Sequence, residues 1–291
     1  MNLAQGRVCI IDFSSLYHRA YHVAEKNQSS GQTASEILSK MLIRCIRELR
    51  PRFLILALDR DDSLLERRKV IPNYKERDRE RPEEFYQQMS RALLITDTLG
   101  IPRVSYSGYE ADDVIATLTQ RCIDQVSPVC IVSTDKDVMQ CMEYGDVTWY
   151  DLKQYMGKPE VYTKYGFTPG EFVSVHALAG DKVDNLPGVS GIGVKTAVSL
   201  LRSHGDSLNC LFEAVEKNPE GFTPSLYAKL KDQESNAMRT ARVLKLANGL
   251  PLMTVPITGR FTLDANRRKS VAALFTEFGF SRFVKGDIYL L

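Results

Sequence analysis

RVCIID (7–12), FLILALD (53–59) and VCIVSTD (129–135) decide how this chain folds. Each is a short run of aliphatic, largely β-branched residues ended by an aspartate, the pattern of a strand buried on both faces. VTWYD (147–151) is a fourth run of the same kind. Between the runs the spacing changes to that of helices. ASEILSKMLIRCIREL (34–49) and EEFYQQMSRALLITDTL (83–99) carry apolar residues three and four apart, with Pro51 and Gly100 as stops. Strand and helix alternate, so the expected fold class is α/β, a mainly parallel central sheet flanked by helices. After about residue 165 the strand signal fades into short helices broken by Gly and Pro. We therefore expect an α/β core over 1–165 and a mainly helical region over 166–291.

Composition bounds what such a chain can do. Its 291 residues, 44% hydrophobic and 25% charged, suffice for a core with an appendage and carry no disordered or fibrous bias. No apolar run approaches the roughly 20 residues of a membrane-spanning helix. The start, MNLAQGRVCIIDF, runs into a strand rather than a cleavable signal, so a cytoplasmic protein without a membrane partner is expected. Cys9, Cys45, Cys122, Cys130, Cys141 and Cys210 are scattered without a CxxC pair, and read as reduced thiols rather than zinc ligands. The net charge is only +2, which taken alone argues against a nucleic-acid partner.

The acids change that reading. Asp12, Asp59 and Asp135 each follow a predicted strand at its carboxyl end, the edge where open parallel sheets bind ligands. One such Asp commonly caps the next helix; three in a row call for another cause. GYEADDV (108–114) adds Glu110, Asp112 and Asp113, Asp137 lies two beyond Asp135, and Asp181 and Asp184 would share one face of a helical turn. Nine converging carboxylates would repel one another prohibitively without cations. Oxygen-only ligands select hard ions such as Mg²⁺ or Mn²⁺, and so many acids suggest two, the arrangement that serves phosphodiester hydrolysis. An acidic pocket also offsets basic surface elsewhere, so a net charge near zero is compatible with a DNA-binding face.

Two further segments fit that chemistry. RDDSLLERRKVIPNYKERDRERPEE (60–84) holds Arg67, Tyr74, Lys75, Arg77 and Arg79 among interleaved acids. A solvated charged helix would look the same. Rooted at the rim of an anionic pocket, however, the segment could grip phosphates and stack a base of a single strand, with Lys75 and Arg67 neutralising the scissile phosphate. NLPGVSGIGVKTA (185–197) is neither a Walker A loop, since Val194 separates the last glycine from Lys195, nor a GxGxxG turn. It reads as a glycine hairpin between two helices. Gly188, Gly191, Gly193, Lys195 and Thr196 would offer backbone amides to a phosphate without reading sequence.

With these residues in place, the chain resembles the metal-dependent 5′-nucleases, among them the 5′→3′ exonuclease domain of bacterial DNA polymerase I and bacteriophage flap endonucleases. The likeness rests on IDFSSLYHRAYH (11–22), NYK (73–75), GYEADDVIATL (108–118), STDKD (133–137) and GDKVDNLPGVSGIGVKTA (180–197), in the family's order and spacing. It implies a PIN-like core, a helical arch at about 60–90 and a helix-hairpin-helix element at about 180–205. It implies that Asp12, Asp59, Glu110, Asp112 and Asp113 serve mainly a first metal, and Asp135, Asp137, Asp181 and Asp184 a second. Arg19, Arg67 and Lys75 fall at basic active-site positions and Tyr74 at the aromatic beside that lysine. The implied activity is structure-specific 5′→3′ exonuclease and flap endonuclease cleavage of DNA near a single-strand/duplex junction, in replication and repair, by a monomer. The hairpin would carry K⁺. Phe13 stands where the family usually has Gly, and Asp78 where it has Arg, which leaves Arg77 or Arg79 to serve. A DNA-junction binding module without the chemistry, and an RNA-directed nuclease of related fold, are the competing readings.

Overall fold

The computed structural model describes residues 6–27, 29, 31–76, 81–125, 127–253 and 261–280. In chain order the elements are β1 (Val8–Asp12), α1 (Phe13–Lys26), α2 (Ala34–Leu49), β2 (Phe53–Ala57), α3 (Leu65–Arg68), α4 (Glu83–Thr98), β3 (Arg103–Val104), α5 (Ala111–Asp124) and β4 (Val129–Val132). After a 3₁₀ stretch (Asp137–Tyr144) come β5 (Val147–Tyr150), β6 (Tyr155–Met156), α6 (Lys158–Tyr165), α7 (Phe172–Ala179), α8 (Val194–His204), α9 (Leu208–Lys217), α10 (Pro224–Leu244) and α11 (Ala265–Glu277).

Six strands form one sheet in the order β3-β2-β1-β4-β5-β6. The first five pair in parallel and β6 runs antiparallel on the edge. The chain leaves β1 toward β2 and later returns to its other side as β4, so the order reverses between β1 and β4. That switch point opens a crevice outside their carboxyl ends. The four apolar runs are four of the strands. β3 and β6 have two residues each, and no periodicity can announce a strand that short; the pairing of their neighbours makes them.

Alternation along the strands builds two cores. Val8, Ile10, Ile55 and Ala57 face one apolar cluster, while Cys9, Ile11, Leu54 and Leu56 face the other. The first cluster runs without a break from the sheet through Phe172, Leu178, Val189 and Leu201 to Val243 and Leu252. The helical region therefore shares its core with the sheet. Of the six cysteines, all are free, five are buried and only Cys210 is exposed.

One local expectation is corrected. Asp181 and Asp184 do not lie on a helix: residues 181–186 form a tight turn closed by an antiparallel bridge between Asp181 and Leu186, with bonds of 3.0 and 2.8 Å. The described residues of the basic segment do not form one solvated helix. α3 is a single short turn, and Arg67, Ile71 and Tyr74 are buried. Arg77 and Arg79 lie outside the described residues. Phe13, where a glycine was expected, starts α1 with its ring 2% exposed and stacked on Tyr17 at 6.0 Å. It is not among the positive-φ residues, so the backbone beside Asp12 needs no glycine.

Candidate active site

Each strand end delivers an acid because the chain must turn there. Asp12 is both the last residue of β1 and the N-cap of α1: its Oδ1 accepts from Ser15 N at 2.9 Å, and its Oδ2 accepts from Ser133 Oγ at 2.7 Å across the switch point. Asp59 Oδ1 accepts from Ala111 N at 2.7 Å, which ties the loop after β2 to the start of α5. Asp135 Oδ1 accepts from Asp137 N at 3.0 Å, folding the loop after β4 so that both acids enter the crevice. At Asp12 the helix cap and the entry into the crevice are one geometry.

The crevice is an open cleft of about 950 Å³. Eight of the nine expected acids line it: Asp12, Asp59, Glu110, Asp112, Asp135, Asp137, Asp181 and Asp184. Among the described residues no three acids close on one point as a ready-made cage. Lys75 offsets Glu110 and Lys136 offsets Asp181, while other acids of the cleft still press on one another. Burial, and behind it the charges of Asp59 and Asp135, push Asp12 up to about 7 against its two hydrogen bonds. Burial also raises Asp112 and Asp137, each with Asp135 as the next cause, and raises Asp59 and Asp184. An oxygen-only, partly desolvated, mutually repelling set is what hard divalent cations relieve.

Lys75 and Arg19 also line the cleft. Lys75 has φ 48°, a left-handed conformation that costs a side-chain-bearing residue on the order of 1 kcal/mol. Its N–H bonds Asp184 O at 3.1 Å and its ammonium meets Glu110 Oε1 at 2.6 Å, which hold it there. Burial would pull the lysine down, but the Glu110 carboxylate outweighs it and keeps Lys75 charged. Glu110 in turn is held below its ordinary value, burial being overcome by Lys75 and Arg67.

Three expected site residues face elsewhere. Asp113, 1% exposed, does not line the cleft; it receives a bidentate Arg67 and the backbone N–H groups of Glu110 and Ala247. Arg67, 8% exposed, spends its guanidinium on Asp113, on Glu110 Oε2 at 3.1 Å and on Val243 O at 2.9 Å. Tyr74, 3% exposed, bonds Glu110 Oε2 through its hydroxyl at 3.1 Å and offers no face to a base. All three carry the right residue types on the right segments, but their side chains point inward.

Other cleft residues escaped the sequence reading. Lys136 pairs with Asp181 Oδ2 at 3.4 Å, and behind the cleft the buried Ser133 orients Asp12. Ser15, His18, Arg19 and His22 form one stripe of α1 along the cleft, facing Arg81 and Tyr86. The i, i+3, i+4, i+7 spacing of that stripe was present in the sequence and only Arg19 was taken from it.

The glycine hairpin lies between α7 and α8. Gly191, Gly193, Lys195 and Thr196 are exposed, and Gly193 precedes α8 as its N-cap without a side-chain bond, which leaves the first amides of the helix facing solvent. Gly188 has a different cause. A Cβ there would run into the backbone of Ala179 and Gly180, and one on Gly180 would sit 2.6 Å from Gly188 N. This pair lets two backbone segments touch.

Residues 7–166 match the family model described as "5'-3' exonuclease, N-terminal resolvase-like domain", and 167–262 match "5'-3' exonuclease, C-terminal SAM fold". The chain belongs to the 5′-3′ exonuclease family. It is 32% identical to the 5′-3′ exonuclease of Aquifex aeolicus, covering 73% of each chain, and 28% identical to that of Mycoplasmopsis pulmonis, covering 84% of this chain and 81% of the relative. It is also 30% identical to Chloroflexus aurantiacus DNA polymerase I, but spans only 30% of that longer protein. A structure of T5 5′-exonuclease with bound zinc superposes with a TM-score of 0.69 over 97% of both chains at 19% identity, which shows a common fold. No helix among this member's described residues is long and apolar enough to cross a membrane.

Proposed function

We propose that this 5′-3′ exonuclease homologue hydrolyses DNA phosphodiester bonds near a junction of single strand and duplex, acting from the 5′ side with two divalent cations, Mg²⁺ or Mn²⁺. One observation carries the reading: eight acids from five separated segments line a single cleft that also holds Lys75 and Arg19. Asp12, Asp59, Glu110 and Asp112 would serve one ion, and Asp135, Asp137, Asp181 and Asp184 the other. When bound, the ions supply activation of the attacking water and charge neutralisation at the leaving oxygen.

The chain's own groups do the rest. Lys75, kept charged by Glu110, donates to a non-bridging oxygen of the scissile phosphate, where negative charge grows in the transition state. Arg19 on α1 takes a neighbouring phosphate. Lys195, Thr196 and the amides at the start of α8 hold the duplex backbone without reading bases, and K⁺ on the hairpin belongs to the same reading. Arg77 and Arg79 would meet the single-stranded 5′ segment. The enzyme acts as a monomer.

The deciding experiment offers a labelled 5′-flap DNA and its RNA equivalent, with Mg²⁺ and with chelator. Cleavage of the DNA that leaves a 5′-phosphate and stops with chelator is expected. Binding without cleavage would instead establish a DNA-junction binding module, and preference for the RNA an RNA-directed nuclease.

A further inference from the structure

We infer that Arg67 and Asp113 are positioning residues that fix Lys75 in the cleft by locking it, through Glu110, to the C-terminal end of α10. The inference rests on the nuclease reading above and adds a mechanical link between the hairpin region and the catalytic lysine.

The link is a closed circuit of hydrogen bonds. From the hairpin, Pro187 O accepts from Thr240 Oγ1 on α10 at 2.6 Å, and Ser190 N donates to Gln233 Oε1 at 2.9 Å. At the end of α10, Val243 O accepts from Arg67 Nε at 2.9 Å, and Ala247 N donates to Asp113 Oδ1 at 2.8 Å. Arg67 and Asp113 clasp each other bidentately, and Arg67 reaches Glu110 Oε2. Glu110 Oε1 holds the Lys75 ammonium, and Lys75 N returns to the turn that leads into the hairpin at Asp184 O. Every charged group on this path except Lys75 is below a tenth exposed.

Burial makes the circuit stiff. A buried ion pair stripped of one partner leaves an uncompensated charge, so its members hold fixed positions or the fold suffers. Arg67 satisfies three acceptors at once, two at the start of α5 and one at the end of α10, which a lysine's compact ammonium cannot copy in the same geometry. The segment it grips is itself anchored to α5: Thr117 Oγ1 bonds Ala247 O and Leu250 N, and Arg121 bonds Leu250 O and Leu252 O. A residue misplacing Lys75 by about 1 Å is expected to slow turnover by on the order of 100-fold without touching substrate.

The experiment is a double-mutant cycle between Arg67→Lys and Lys75→Met on flap DNA, with single-turnover rates, duplex affinity in chelator and Mn²⁺ affinity by calorimetry. Arg67→Lys alone should lower kcat about 10-fold or more, with KM, Mn²⁺ affinity and metal-free duplex affinity within about twofold. In the Lys75→Met background the same change should cost little further, because both act through one group. Asp113→Asn should leave Mn²⁺ affinity unchanged within about twofold. Additive losses, or a Mn²⁺ affinity lowered about 10-fold or more by Asp113→Asn, would overturn the inference. Should Arg67→Lys fail to fold, Thr117→Val loosens the same strap without touching a charge, and its loss of kcat must likewise vanish in Lys75→Met. Wild-type protein that cleaves neither DNA nor RNA would sink the nuclease reading itself, which this cycle thereby separates from the positioning role.

Discussion

Lys75 Nζ and Glu110 Oε1 lie 2.6 Å apart, joining the basic segment to the N-cap of α5. The pair sets a cation at the edge of a ring of acids and keeps it charged through the neutral range. Lys75→Met should therefore lower the single-turnover rate by about 100-fold or more, the usual loss of a transition-state charge donor, while flap binding in chelator stays within a few fold. Equal losses in rate and affinity would show that Lys75 only binds.

Asp135 and Asp184 come from the loop after β4 and the 181–186 turn, and meet in the cleft only after folding. Asp135→Asn and Asp184→Asn should each cut turnover by orders of magnitude while DNA binding persists. Unchanged turnover in either variant would refute its place at the second ion.

Metal should stabilise the fold in a pH-dependent way. Asp12, raised from about 3.8 to about 7, contributes stability that is full below its unfolded value and is lost as pH rises through 7. Cations reverse that loss by neutralising the ionised carboxylates, whereas at low pH they must first displace the protons. Mn²⁺ at about 100 times its dissociation constant should add roughly 2.7 kcal/mol at pH 7.5, or about 5–10 °C in Tm, and much less at pH 5. Calorimetry showing an equal shift at both values would remove the acids from the binding site.

His176 gives an opposite signature in acid. Burial among Phe167 and Phe172 pulls its imidazole down to about 4 from 6.5. Its neutral form contributes stability above pH 6.5 that is lost as pH falls toward 4, up to about 3 kcal/mol. Compared with wild type, His176→Phe should lose less stability across that window. Parallel denaturation curves for the two proteins from pH 7 to 4 would exclude it.

The hairpin glycines should separate. Gly188→Ala forces a Cβ into the Ala179–Gly180 backbone, so a loss of about 2 kcal/mol or more and weaker duplex binding are expected. At Gly193, φ is −97° and a Cβ would meet nothing within 4 Å. Gly193→Ala should cost no more than about 1 kcal/mol, read by urea denaturation.

The one-dimensional pattern by itself determined the parallel sheet, α2 to the residue, α8 and the acid-bearing strand ends, because buried strands and amphipathic helices repeat at periods the chain must display. It also supplied the residue types of the cleft. Direction was another matter. Asp112 and Asp113 are neighbours on the first turn of α5, roughly 100° apart around its axis, so one enters the cleft and the other turns to Arg67. Which of the two does so depends on where α10 ends, some 130 residues later. Tertiary packing alone decided that, since a side chain's partner is fixed by contacts between segments and local spacing carries no trace of them.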